Sequence, residues 1–209
     1  LSNRLKPVNC CMNKQNTQSS ALTSQEVDRL LKNRAKDDTA GFVALAQQGN
    51  TPIFNKAYGL ANETNATPLE IGAVFKTGSI AKQFTSTALL LLQEQGLLSI
   101  KATAAQHIPS LSTKHKSITV EQLMCHTSGI PCYMGNEDII DRLVNGGISQ
   151  EEIIENIRES HESFEAGEKM QYSNSGYVLL GQIIENISGQ HFSDFIDLHI
   201  FKKLGMHNS

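Results

Sequence analysis

Long runs of lysine or arginine are absent, and the 209 residues carry a formal net charge of -3. The chain therefore has no electrostatic footprint for DNA or RNA, and nucleic acid is not expected as a partner. Long hydrophobic runs are absent too. The longest is "ALLLL" at 88–92, far short of the ~18 residues that a membrane-crossing helix needs, so no transmembrane span is expected. Cysteine is scarce: Cys10, Cys11, Cys125 and Cys132 are too few for a disulfide scaffold, and the vicinal pair is poorly shaped to close on itself. Cys125 and Cys132 could pair or stay as thiols. Cys125, His126 and Cys132 lack a fourth ligand and match no common zinc spacing, and the seven histidines include no H-x-x-x-H pair. No metal and no cofactor are expected. There is no internal repeat.

What is present suits a folded chain: 39% hydrophobic and 19% charged residues fit one globular domain with a sizeable core. Residues 1–21 read as a flexible polar tail, because 12–20 are polar without an apolar period. The chain opens on Leu1 rather than Met, which reads as a cut or non-standard start. "CCMNKQNTQSS" is similar to the Cys-plus-tether opening of bacterial lipoproteins, although no hydrophobic segment precedes Cys10 and "KPVN" fits a lipid-attachment box poorly.

Folding is expected over residues 22–209. In "TSQEVDRLLKNRA", Thr23 is an N-cap with Glu26 three places on, followed by Val27, Leu30 and Leu31 on one face, which predicts an amphipathic helix. "GFVALAQQGNTPIFNKAYGLAN" predicts a hairpin of strands 41–47 and 52–59 around a Gly-Asn turn. "SIAKQFTSTALLLLQEQG" has apolar residues on nearly every face and predicts a buried central helix ending near Gly96. "TVEQLMCHTSGIP" predicts a short helix stopped by Gly129 and Pro131. "SQEEIIENIRES" predicts a helix capped by Ser149 toward Glu152, with Ile153, Ile154 and Ile157 as its stripe. "SGYVLLGQIIENISG" and "SDFIDLHIFKKLG" each end at a glycine placed to close a helix. One strand pair among several helices is an odd balance, because a lone hairpin is marginal without further strands or a covering helix.

Two overlapping signals sit in "FKTGSIAKQF": K-T-G at Lys76 to Gly78 and S-x-x-K at Ser79 to Lys82. A serine hydroxyl needs a neighbouring base to become a useful nucleophile. Residues three apart on a helix lie ~5–6 Å apart at Cβ, and side chains lean toward the N-terminus. Lys82 can therefore reach Ser79, whereas Lys76 precedes the helix and has no such rule to bring it there. Free N–H groups and the dipole at the helix start favour negative charge at Ser79. Burial would help to discharge the Lys82 amine, since desolvation can lower a lysine pKa by ~3–5 units. A lone S-x-x-K is about what chance provides in a chain rich in Ser and Lys. A second signal accompanies it: Y-S-N at Tyr172 to Asn174, the only Y-x-N in the chain. A phenol beside an ammonium can pass protons between nucleophile and leaving group, and an Asn amide can bond a substrate carbonyl and the lysine. Helix capping would explain Ser173 and Asn174, but not Tyr172.

These motifs, with "ITVEQLMCHTSGIP", "FEAGEKMQYSNSGYVLLGQIIENISGQ" and "IFKKLGM" following in order, resemble the serine β-lactamase-related hydrolases: class C β-lactamases, D-alanyl-D-alanine carboxypeptidases and related esterases. The resemblance covers about residues 22–208. It implies an α/β (α+β) β-lactamase/transpeptidase-like fold, with an antiparallel sheet flanked by helices and a mainly helical lobe. Ser79 would be the acylated nucleophile, Lys82 its base or proton relay, Tyr172 the base that also serves the leaving group, and Asn174 a substrate contact. The "HTSGIP" turn reads as structural. Ala166 and Lys203 stand where relatives often carry proline, which should only loosen local turns.

The implied function is a serine hydrolase forming an acyl-enzyme on Ser79, acting on a β-lactam, a D-amino-acid peptide or a small ester. The alternative is a non-catalytic or truncated module that binds peptidoglycan-like ligands or a protein. Kinship alone implies a periplasmic or secreted location, with or without a lipid anchor. The family also carries a Lys-or-His triplet ending in Gly on a C-terminal strand. The K-T-G at 76–78 precedes the serine too closely to serve as that opposite wall. The 209 residues thus read as the first part of a longer domain, with the C-terminal strands outside this chain. That missing strand would supply one oxyanion-hole donor, whose loss typically costs ~100- to 1,000-fold in rate. Residues 1–209 expressed alone are accordingly expected to turn over an activated ester at least ~100-fold more slowly than an intact enzyme. A steady-state esterase assay checks this, and a rate typical of an intact enzyme would refute it.

Overall fold

The computed structural model describes residues 23–34, 38–112 and 114–209. The polar tail, with Cys10 and Cys11, lies outside the described residues. The chain divides into two compact units, Leu1–Phe75 and Lys76–Ser209.

The first unit begins with helix α1 (Ser24–Lys32), whose capping box forms as predicted: Glu26 N–H donates to Thr23 Oγ1 at 3.3 Å and Thr23 N–H to Glu26 Oε2 at 2.8 Å. Strands β1 (Phe42–Gln48) and β2 (Thr51–Tyr58) pair antiparallel from Phe42↔Tyr58 to Gln48↔Thr51, with a bulge between Ala46 and Gln47. Their bounds fall within one residue of expectation. Tyr58 Oη donates to Asp28 Oδ1 at 2.8 Å and Lys56 reaches the same carboxylate at 2.8 Å, which ties β2 to α1. A second ribbon, β3 (Leu60–Asn62) with β4 (Thr67–Pro68), was not foreseen. Three and two residues are too short to show a period of two. Within this unit Leu45 and Ile53 remain 60% and 52% exposed, as befits a ribbon that does not close a core by itself.

The second unit is helical. Its framework is α2 (Ala81–Glu94), α3 (Val120–Met124), α4 (Glu137–Val144), α5 (Gln150–Glu159), α6 (Asn174–Ser188) and α7 (Phe192–Ile196). A turn of π-helix at Asp197–Phe201 then leads into α8 (Lys202–Leu204). The core is the seam between α2 and α6: Ala88, Leu89 and Leu92 of α2 and Leu179, Leu180, Ile183 and Ile184 of α6 are each at most 1% exposed. Burying such aliphatic side chains stabilises by about 1.5–3 kcal/mol each before entropy is charged against it. Leu123, Ile157 and Phe195 close the seam from α3, α5 and α7. The Ser149 box caps α5, and Gly189, at φ 68°, ends α6 as expected.

Two expectations change. Helix α2 is not enclosed on every face: Leu90 is 47% exposed, and the helix buries one stripe of Thr85, Ala88, Leu89 and Leu92. Helix α3 stops before the Gly-Ile-Pro. Thr127 N–H bonds Gln122 O at 2.9 Å and His126 N–H bonds Leu123 O at 3.3 Å, a Schellman closure with His126 itself in the left-handed region at φ 58°. Gly129 serves the next turn. At φ 80° its backbone lies against the 162–164 segment, and an added Cβ would stand 2.1 Å from Phe164 O. Gly129→Ala is therefore expected to cost about 2 kcal/mol or more, from positive-φ strain plus collision. Urea denaturation checks this as a fall in midpoint without a change in slope.

Candidate active site

Ser79 lies in a 3-10 turn, Gly78–Ile80, that runs directly into α2. Ser79 is exposed and Lys82, in the first turn of α2, is half-buried. The i, i+3 geometry brings them together: Lys82 Nζ donates to Ser79 Oγ at 3.2 Å. Tyr172 approaches from the segment just before α6, and its Oη lies 2.6 Å from Ser79 Oγ. Asn174 is the first residue of α6, and its Oδ1 accepts from Lys82 Nζ at 2.7 Å. All four residues singled out from the sequence thus meet, although the two pairs lie more than ninety positions apart.

Lys82 Nζ also lies 4.9 Å from the ring centroid of Tyr172 and 5.3 Å from that of Tyr177. Two ring faces and an amide oxygen form a setting that suits an ammonium ion. The hydrogen bond from Lys82, followed by that with Ser79, holds the Tyr172 hydroxyl below the ordinary phenol range, against an opposing desolvation effect.

Sequence reading missed the side chains that hold this group in place. His126 stacks on Tyr172 with centroids 4.4 Å apart and on Tyr177 at 5.3 Å. Its Nδ1 accepts the Ser173 N–H at 3.2 Å, and its carbonyl accepts the Gln171 N–H at 2.9 Å. The "HTSGIP" turn is therefore structural, as expected, but what it fixes is the catalytic candidate Tyr172. Burial, and then the charge of Lys82, push the His126 pKa down. With Nδ1 accepting, the neutral ring carries its proton on Nε2. Tyr177 Oη bonds Ser86 Oγ at 3.0 Å and donates to Met124 O at 3.0 Å, linking α2, α3 and α6. The H-T-S-G string was a signal that something sits here. Its direction follows only from the left-handed turn at His126.

Cys125 and Cys132 are free thiols. Among the described residues no three His, Cys, Asp or Glu are grouped to hold a metal ion. No helix among the described residues is long and apolar enough to cross a membrane. A cleft of about 390 Å3 opens between α2 and α6, lined among others by Ala81, Lys82, Thr85, Asn174, Tyr177 and Phe192. Lys82, which bonds both Ser79 and Asn174, thus also borders open space.

Comparison with known proteins gives a match to the family described as Beta-lactamase over residues 27–209. Penicillin-binding protein 4* of Bacillus subtilis is 34% identical over 178 residues, covering 79% of this chain and 36% of that protein. The chain spans little more than a third of the length of the curated relatives it matches. Among solved structures, an octameric penicillin-binding protein homologue from Pyrococcus abyssi superposes with a TM-score of 0.75 at 27% identity, covering 88% of this chain and 43% of that one. A D-amino acid amidase from Ochrobactrum anthropi superposes with a TM-score of 0.70 at 27% identity, covering 88% and 48%.

The lowered Tyr172 hydroxyl can be read directly. In an ultraviolet titration of phenolate, the difference between the protein and Tyr172→Phe should show one tyrosine ionising below the ordinary phenol value. Lys82→Met should move that step up, because the cation that favours phenolate is gone. An unmoved step would contradict the assigned cause.

Proposed function

Since this chain belongs to the β-lactamase family and its fold is the β-lactamase/transpeptidase fold, we propose that it is the nucleophile-bearing part of a serine hydrolase that works through an acyl-enzyme on Ser79. The carrying observation is the convergence of Tyr172 Oη and Lys82 Nζ on Ser79 Oγ, at 2.6 and 3.2 Å. The distances favour Tyr172 over Lys82 as the immediate proton acceptor. In this reading Ser79 Oγ attacks the substrate carbonyl carbon as its proton passes to Tyr172 Oη. The tetrahedral adduct collapses when the bond to the leaving nitrogen or oxygen breaks, and Tyr172 returns the proton to that atom. Water then attacks the ester carbonyl as Tyr172 takes its proton, and when the bond from the acyl carbon to Ser79 Oγ breaks, Tyr172 returns that proton to Ser79 Oγ.

Lys82 stays an ammonium in this scheme. It keeps the Tyr172 pKa low and bonds the Asn174 oxygen, and in this scheme the Asn174 amide meets a substrate carbonyl. Where the sequence suggested an uncharged lysine base, this scheme uses Lys82 as a cation, a role that the nearby rings of Tyr172 and Tyr177 suit. The substrate class consistent with relatives named as penicillin-binding proteins and a D-amino acid amidase is a β-lactam, a D-amino-acid peptide or amide, or a small ester. Enzymes that meet cell-wall peptides work outside the cytoplasm, and we place this protein there on kinship.

Intact protein incubated with a fluorescent penicillin or fluorophosphonate should be labelled at Ser79, with Ser79→Ala abolishing the label and Tyr172→Phe slowing it by ~100- to 10,000-fold. The labelling rate should rise with pH as Tyr172 passes through its lowered pKa, because the phenolate is the reactive form. A well-folded intact protein that takes up neither probe would instead support a binding module.

A further inference from the structure

Helix α6 begins without an ordinary cap. Ser173 occupies the N-cap position, yet its side chain caps nothing, and its Oγ is buried without a partner. The first N–H groups of a helix need acceptors. Here the Asn174 N–H points to Cys132 Sγ at 3.4 Å. The Asn174 side-chain NH2 points the same way, to Met134 Sδ at 2.9 Å and Cys132 Sγ at 3.6 Å. Two sulfurs from one short segment therefore face the nitrogen side of this amide, and Lys82 faces its oxygen.

The segment is anchored rather than loose. Tyr133 N–H donates to Ser175 Oγ at 2.8 Å, Ser175 Oγ donates to Pro131 O at 2.7 Å, and Gly135 N–H closes on Cys132 O at 2.9 Å. Ser175 is fully buried and adjoins Asn174, so the sulfurs and the amide are held on one rigid frame.

We propose that Cys132 and Met134 are positioning residues, a sulfur cradle that sets the amide of Asn174 with its oxygen on Lys82 and its NH2 ready for a substrate carbonyl. The inference rests on the acyl-enzyme reading of the site and adds how Asn174 is oriented. Sulfur suits this task because thiol and thioether are weak acceptors. They are strong enough to bias a freely rotating amide, and weak enough that a carbonyl oxygen can displace them at small cost. An oxyanion at the same place would hold the NH2 against substrate and put negative charge beside Tyr172. Negative charge at Cys132 would likewise oppose the Tyr172 phenolate.

The test uses intact protein and a fluorophosphonate probe. Cys132→Ala with Met134→Leu, which removes both acceptors, should slow Ser79 labelling ~10-fold and move its pH dependence to higher pH, because a less firmly held Lys82 supports phenolate less well. Cys132→Ser, which keeps an acceptor, should stay within ~2-fold of the unaltered protein with its pH dependence unmoved. Wild-type behaviour of the double variant, or an equal loss in Cys132→Ser, overturns the proposal. Should the double variant not fold, Met134→Leu alone, at a half-exposed position, carries the same comparison. If unaltered protein takes up no probe, the acyl-enzyme reading fails separately. The cradle is then judged by the Asn174 side-chain amide resonances in NMR: a shift in the double variant but not in Cys132→Ser supports it, and no shift overturns it.

Discussion

The buried seam between α2 and α6 is the constraint on which the site depends. Ala88, Leu89 and Leu92 on one helix meet Leu179, Leu180, Ile183 and Ile184 on the other with almost no exposure. Close packing of this kind leaves the two helices little freedom to slide, because a shift of one side chain would open a void or force an overlap. Both helices begin at the same end of that seam. The residues at their starts, Ser79 and Lys82 on one side and Tyr172 and Asn174 on the other, are therefore held at hydrogen-bond distance by apolar packing a turn or two away.

Electrostatics then sort the roles within the group. The Lys82 cation lies between two tyrosine rings and bonds the Asn174 oxygen, and the cost falls on its neighbours: the Tyr172 hydroxyl is pushed toward phenolate and the His126 imidazole toward the neutral form. A neutral imidazole stacked on Tyr172 adds no second positive charge to compete with Lys82. The proposed role of Tyr172 as proton acceptor rests on this arrangement together with its shorter distance to Ser79.

The supporting frame is made largely of backbone turns. His126 ends α3 in a left-handed conformation and brackets residues 171–173 through its ring and its carbonyl. Gly129 accepts the Ser163 N–H at 2.8 Å, and Thr127 accepts the Gly167 N–H at 2.8 Å, so the chain leading to Tyr172 is tied to the same turn. Met134 and Cys132 complete the frame on the far side of Asn174.

Local rules were enough to read much of this from the residues alone. The capping boxes at Thr23 and Ser149, the glycine end of α6, the hairpin around Gly49 and the reach of Lys82 to Ser79 each depend on neighbours a few positions away, and backbone geometry alone specifies such contacts. The pairing of S-x-x-K with Y-S-N was legible only through family resemblance, since no local rule joins positions ninety apart. Other features had no sequence signal. The exposed side of α2, the left-handed His126, the two sulfurs at Asn174 and the shorter reach of Tyr172 than of Lys82 to Ser79 depend on which side chains other elements bring near. By itself the sequence determined which residues could carry the chemistry and how each helix starts and stops. Tertiary structure decided which of them touch, because contact between distant segments follows from packing.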